Sequence, residues 1–171
     1  MANRLVKLVL GIFSSITGTI FGKYVLIFII SLLPILELRG GLIAASMLGL
    51  PMWQSALVCI FANILIIPFV LYLMDKIIAL LSKISFFEKF FNWWSKRALK
   101  HKEIIDKYGY IGIMLFVAVP LPGSGAWTGC LLAVLLKLDK KKSFMASLLG
   151  VLIAACIMLI FSYGILRGVV R

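Results

Sequence analysis

A chain of 171 residues with 63% hydrophobic and 14% charged residues and a mean hydropathy of +1.14 excludes a water-soluble globule, in which about 25% of residues carry charge. The length fits one membrane domain, so any larger assembly would be a homo-oligomer. Eighteen Lys and Arg against six Asp and Glu would suggest nucleic acid in a soluble protein. Beside apolar stretches, basic residues instead orient the chain and meet anionic headgroups, so the expected partners are membrane lipids and no nucleic acid.

Residues 1–23 hold Arg4, Lys7 and Lys23 around an apolar run. Gly22-Lys23-Tyr24 is not a small-x-small cleavage site, and more apolar chain follows at once. An interfacial or short helix is expected rather than a cleaved signal.

Residues 24–50 are apolar but broken by Pro34 and by Glu37-Leu38-Arg39-Gly40-Gly41. A membrane span needs roughly 20 apolar residues, and each half here is too short to cross alone. Irregular backbone at membrane depth is tolerated only inside protein or beside a wet cavity. The stretch therefore reads as a re-entrant helical hairpin. Glu37 is the only acidic residue and Arg39 the only basic one in any apolar stretch, and ionisable groups placed there face a partner or a cavity. Residues two apart on a helix point to nearly opposite sides, so Glu37 and Arg39 converge only if the chain unwinds. Gly40 and Gly41 are expected to allow that, and to open the second half-helix, whose free N–H groups favour an anion.

Residues 51–74 are long enough for an uninterrupted transmembrane helix, with Gln54 and Asn63 as candidate path-lining residues. Residues 75–107 carry eight Lys and Arg with Ile77, Leu80, Leu81, Ile84, Phe87, Phe91 and Trp94 at helical spacing. That pattern fits a basic amphipathic linker in the interface, on the cytoplasmic side. Residues 109–136 form a second broken stretch around Pro120, Pro122, Gly123, Ser124 and Gly125, followed by Trp127 and Thr128, again a re-entrant hairpin. Residues 143–166 form the second transmembrane helix.

The order hairpin, span, linker, hairpin, span is an internal repeat. A hairpin returns to its own side and a span does not, so the second unit enters from the opposite face. The fold class is thus an all-α integral membrane protein, an inverted repeat of re-entrant hairpin plus transmembrane helix with interfacial helices, which is a transporter plan. Twelve basic residues then share the linker side against five on the other. Four ordinary spans, the alternative, would put Lys137 and Lys140 to Lys142 opposite the linker.

Cys59, Cys130 and Cys156 show no metal-ligand or disulfide spacing, so they read as small packing residues, and no metal or cofactor is expected. Ser124 lacks a base, because His101, the single histidine, lies in the charged linker. No enzyme activity is expected. If the two tips meet, two half-helix N-termini and Arg39 surround a cavity suited to an anionic headgroup, and Glu37 supplies its proton-carrying group.

The runs Glu37-Leu38-Arg39-Gly40-Gly41-Leu42 and Pro120-Leu121-Pro122-Gly123-Ser124-Gly125-Ala126-Trp127-Thr128-Gly129 resemble the two signature hairpins of the small multi-drug export protein family. The resemblance covers residues 24–166 and implies Glu37, Arg39, Gly40, Gly41, Pro120, Pro122, Gly123 and Gly125 as site positions. That family is similar to the DedA and SNARE-associated (VTT) membrane proteins, which implies paired re-entrant hairpins and lipid translocation. The expectation is a small transporter, proton-coupled through Glu37. Its substrate is an amphiphile, either a lipid phosphate such as an isoprenoid carrier or a small drug as the family name suggests. The rival expectation is a non-transporting assembly or lipid-organising protein. The expected location is a bacterial or archaeal plasma membrane.

Overall fold

The computed structural model describes residues 18–81, 92, 96, 99, 102–120 and 124–165. The expected helix at the N-terminus, most of the basic linker, Pro122 and Gly123 lie outside the described residues, within which every regular element is helical.

Helix α1 spans Ile20–Leu32, opened by Thr19, whose hydroxyl accepts from the Gly22 N–H at 3.1 Å. It stops because Leu33 precedes a proline and takes extended backbone (φ −72°, ψ 136°). After a tight turn, α2 spans Glu37–Met47. The two pack antiparallel: Lys23 at the start of α1 donates to the Leu48 carbonyl past the end of α2 at 3.1 Å. Gly41 allows the approach, since a Cβ there would fall on Ser31 Oγ and lie 3.2 Å from the Ile27 carbonyl.

Helix α3, Met52–Leu81, continues beyond the expected boundary at Met74 as one element of 30 residues with Pro68 inside it. Helix α4 spans Lys102–Ala118 and bends at Gly109 (φ 57°, ψ −131°), the residue from which the second hairpin was expected to start. Helix α5 is Ala126–Leu135. Helix α6 is Lys140–Leu159, begun earlier than Ser143 because the Asp139 carboxylate caps the Lys142 N–H at 2.8 Å, and it runs on into a π-helical turn, Ile160–Ile165. The second pair is also antiparallel: the Asp139 N–H beyond α5 donates to Tyr110 Oη near the start of α4 at 3.2 Å, and a Cβ at Gly129 would press on Val117.

The outer helix of each pair packs on the long helix that follows it, α1 on α3 and α4 on α6, while the inner helices α2 and α5 each touch both long helices. The open ends of the two pairs lie at opposite ends of the molecule. Ser46 donates to the Ser162 carbonyl at 2.7 Å and Tyr163 to the Leu50 carbonyl at 3.2 Å, at the far end of α6. At its near end, Lys140 sits 5.4 Å above the Tyr72 ring of α3.

Both pairs finish alike. Gly49 and Lys137 are left-handed (φ 70° and 53°), and the Leu50 and Leu138 N–H groups return to the Ala45 and Ala133 carbonyls at 3.0 and 2.9 Å. This is a helix stop closed by a left-handed residue, repeated 88 positions later (137 − 49, 138 − 50). Ser55 and Ser143, the next matched pair, are both fully buried.

Segments 52–74 and 140–164, of 23 and 25 residues, are apolar and long enough to cross a membrane. Their outer faces carry Trp53, Leu57, Phe61, Leu149 and Ile153, all exposed. A soluble monomer rarely shows so much contiguous apolar surface, so this is a membrane protein.

Candidate functional site

The break in the first hairpin falls on Glu37 itself, which has left-handed backbone (φ 49°), a conformation unfavourable for a residue with a Cβ. The unwinding expected at Gly40 and Gly41 is absent, for both lie inside α2. They serve close packing instead: a Cβ at Gly40 would stand 2.7 Å from Leu36 Cβ, and at Gly41 2.9 Å from Cys59 Sγ. The turn at Glu37 removes the opposed directions of a regular helix, so Glu37 and Arg39 both reach the second hairpin.

Glu37 is 5% exposed. Its Oε2 accepts from the Ala126 N–H at 3.2 Å and its Oε1 from the Trp127 N–H at 3.1 Å. These are first-turn donors of α5, which have no partner within the helix. A carboxylate also suits the positive end of the helix dipole. The seat exists because residue 125 is glycine: a Cβ there would stand 2.6 Å from Glu37 Cδ, and the backbone (φ 136°, ψ −173°) belongs to a region that glycine alone occupies readily.

Arg39 serves the other side of the same break. Its Nη1 donates to the Ser124 carbonyl at 2.9 Å, and its Nη2 to the Val119 carbonyl at 2.9 Å, the Val117 carbonyl at 3.4 Å and Ser124 Oγ at 3.1 Å. Ser124 Oγ in turn donates to the Val119 carbonyl at 2.7 Å. A cation thus meets the carbonyls at the negative end of α4, and an anion meets the N–H groups that open α5.

The second hairpin reciprocates. Trp127 Nε1 donates to the Leu32 carbonyl, the last of α1, at 3.0 Å. Arg39 and Trp127 stand 88 positions apart (127 − 39), as do Glu37 and Gly125 (125 − 37). Each inner helix therefore supplies a donor that caps the other pair's outer helix. Of positions 37 and 125, one holds a carboxylate and the other the void that receives it.

Of the other candidates, Thr128 is buried and Pro120 exposed. Asn63 is buried between helices, its Nδ2 donating to the Ser31 carbonyl at 3.1 Å and the Cys59 carbonyl at 3.4 Å. Gln54 is exposed and accepts from the Tyr24 hydroxyl. Asn63 thus meets the last turn of α1, one residue before the Leu32 carbonyl that Trp127 caps, whereas Gln54 lies near the start of α1. Cys59 and Cys130 are buried, whereas Cys156 is exposed on α6. Among the described residues no group of three or more His, Cys, Asp or Glu is placed to hold a metal, and His101 lies outside them.

Sequence reasoning quoted Gly129 within the second run but missed its part in setting the α4–α5 spacing, and it missed the carbonyls of Leu32, Val117 and Val119 as acceptors. A signal for the first existed: Ala-x-x-Leu-x-Leu occurs at 45–50 and 133–138, and in that register Gly129 falls on Gly41. The carbonyls carry no side-chain signature.

No curated protein and no solved structure matches the chain. One family model does, described as "Putative small multi-drug export protein", over residues 37–157. The match opens at Glu37, just past the turn of the first pair, takes in the break of the second and covers well over half of the chain. This protein belongs to the small multi-drug export protein family.

Proposed function

We propose that this protein is a small membrane transporter that moves an anionic amphiphile by opening and closing the junction between its two hairpins. In this reading the hairpins are re-entrant, dip from opposite membrane faces and meet at mid-depth, so that the two halves form an inverted repeat of the kind also ascribed to the DedA and VTT proteins. Three features support it. The pairs' helices, of 13, 11 and 10 residues together with α4, whose apolar part is only Lys107–Ala118, fall short of the roughly 20 a span requires. The open ends of the pairs lie at opposite ends of α6. The caps repeat at a constant offset.

The observation that carries the reading is that Glu37 and Arg39 are both seated on the broken backbone of the opposite hairpin. With those bonds made, the polar groups of the junction are turned on one another and the site is closed. Parting the tips would release Arg39 and two N–H groups at the start of α5, donors suited to a phosphate or carboxylate. It would also expose Glu37, the group proposed to carry the proton. A lipid phosphate, such as an isoprenoid carrier, fits these donors, while the family's name points to a small drug.

The test uses proteoliposomes with a fluorescent polyprenyl phosphate as the anionic probe and ethidium as the cationic one. The wild type should move the phosphate faster under a proton gradient. Glu37→Gln should lose that acceleration, and Arg39→Ala should weaken the apparent affinity by about tenfold, the size of one lost charge-assisted hydrogen bond. Unchanged gradient dependence in Glu37→Gln would refute the proton-carrier role. If the wild type moves neither probe, the rival stands: a non-transporting assembly or lipid-organising protein in which the two residues are helix caps only.

A further inference from the structure

We propose that the open groove between α4 and α6 binds an anionic phospholipid, one acyl chain lying in the groove and the phosphate at Lys141 and Lys142. This site is separate from the hairpin tips. It rests only on segment 140–164 crossing the membrane, and it survives whether or not anything is transported.

The groove has a volume of about 440 Å³. Helix α4 contributes Tyr110, Ile111 and Met114 to it, and α6 contributes Met145 and Leu149 below the two lysines. Its inner limit is set where Gly150 lets the helices touch, since a Cβ there would stand 2.7 Å from the Met114 carbonyl and from Val117 Cβ. Outward of that contact the helices leave a slot whose walls are apolar and whose rim residues Ile111 and Met145 are more than half exposed. From Lys141 to Leu149 the slot follows α6 for about 12 Å. Methionine walls adapt to a chain of variable shape.

Charge identifies the occupant. Lys140, Lys141 and Lys142 stand in the first turn of α6, the end of a helix at which cations are unfavourable. The carboxylate of Asp139 is the N-cap, accepting from the Lys142 N–H. Helix stability alone would place acidic residues here. An anion at the mouth satisfies the lysines and the helix end together. The Lys142 ammonium lies 5.7 Å from the Tyr110 ring centroid, which holds it at the mouth of the groove. A free phosphate would leave the apolar slot uncovered and a neutral lipid would bring no net charge to Lys141 and Lys142 at its mouth, so the groove fits a phospholipid of net negative charge.

The experiment is native mass spectrometry of the full chain, released from nanodiscs holding equal phosphatidylglycerol and phosphatidylcholine of the same acyl composition. The wild type should retain phosphatidylglycerol, by about fivefold for each lysine that contacts the phosphate. Lys141→Gln with Lys142→Gln should reduce retention to the phosphatidylcholine level, and Met145→Trp, which fills the slot from an exposed position, should displace the lipid. A diazirine-bearing phosphatidylglycerol should label wild-type peptides holding residues 110–114 and 145–149. Equal retention of the two lipids, labelling confined to other helices, or a change of oligomeric state in Met145→Trp, which would make a second copy the occupant, would each overturn the proposal.

Discussion

Left-handed backbone at Glu37 costs on the order of 1–2 kcal/mol, and two hydrogen bonds from α5 to its carboxylate offset that cost. Residue 125 makes the seat possible by having no side chain. Gly125→Ala therefore meets two penalties, the strained backbone and the carboxylate itself. Unfolding measured in bicelles should show a loss of several kcal/mol. The same change made in a Glu37→Ala background should cost less, because the steric part has gone and only the strain of about 1–3 kcal/mol remains. Additive losses in that cycle would mean that the two residues do not share the space. The importance of Glu37 was legible in the sequence, since a lone carboxylate in an apolar stretch needs a partner. Its backbone was not, because glycine is the residue that signals positive φ, and the two glycines three and four positions on drew the expected break to themselves.

At the scale of elements, the helix ends that meet at the tips leave carbonyls and N–H groups with no partner within their own helices. Arg39 satisfies the end of α4, Glu37 the start of α5, and Trp127 the end of α1. Trp127→Phe keeps the aromatic packing against Phe69, whose ring centroid lies 6.1 Å away, and removes only the N–H. Its cost should be small, about 0.6 kcal/mol and at most about 1.7 for an interhelical bond in a membrane. Arg39→Gln should cost more, because several carbonyls lose a donor at once. Equal losses in the two variants would show that Arg39 is not the principal cap. Apolar run lengths were enough to expect two helices long enough to cross a membrane. Which helix capped which was not legible, because main-chain carbonyls have no residue code.

For the whole molecule, the placement of the two pairs at opposite ends of α6 makes a topological prediction. Single cysteines at Met47, Lys96 and Lys141, all exposed, introduced into a variant without the native cysteines, report the side of the membrane through an impermeant maleimide. Under the proposed arrangement Lys96→Cys and Lys141→Cys react from one face and Met47→Cys from the other. Four ordinary spans would pair Met47→Cys with Lys141→Cys instead.

The match between Glu37 and the void at Gly125 also limits how such a molecule can be assembled. Two identical copies of the first half, docked about a twofold axis, would set one carboxylate against another with no hollow to receive either. A symmetric homodimer of half-length chains could not make this junction. The division of labour between protrusion and socket therefore demands two halves that differ at this one position, the first with a carboxylate and the second with no side chain.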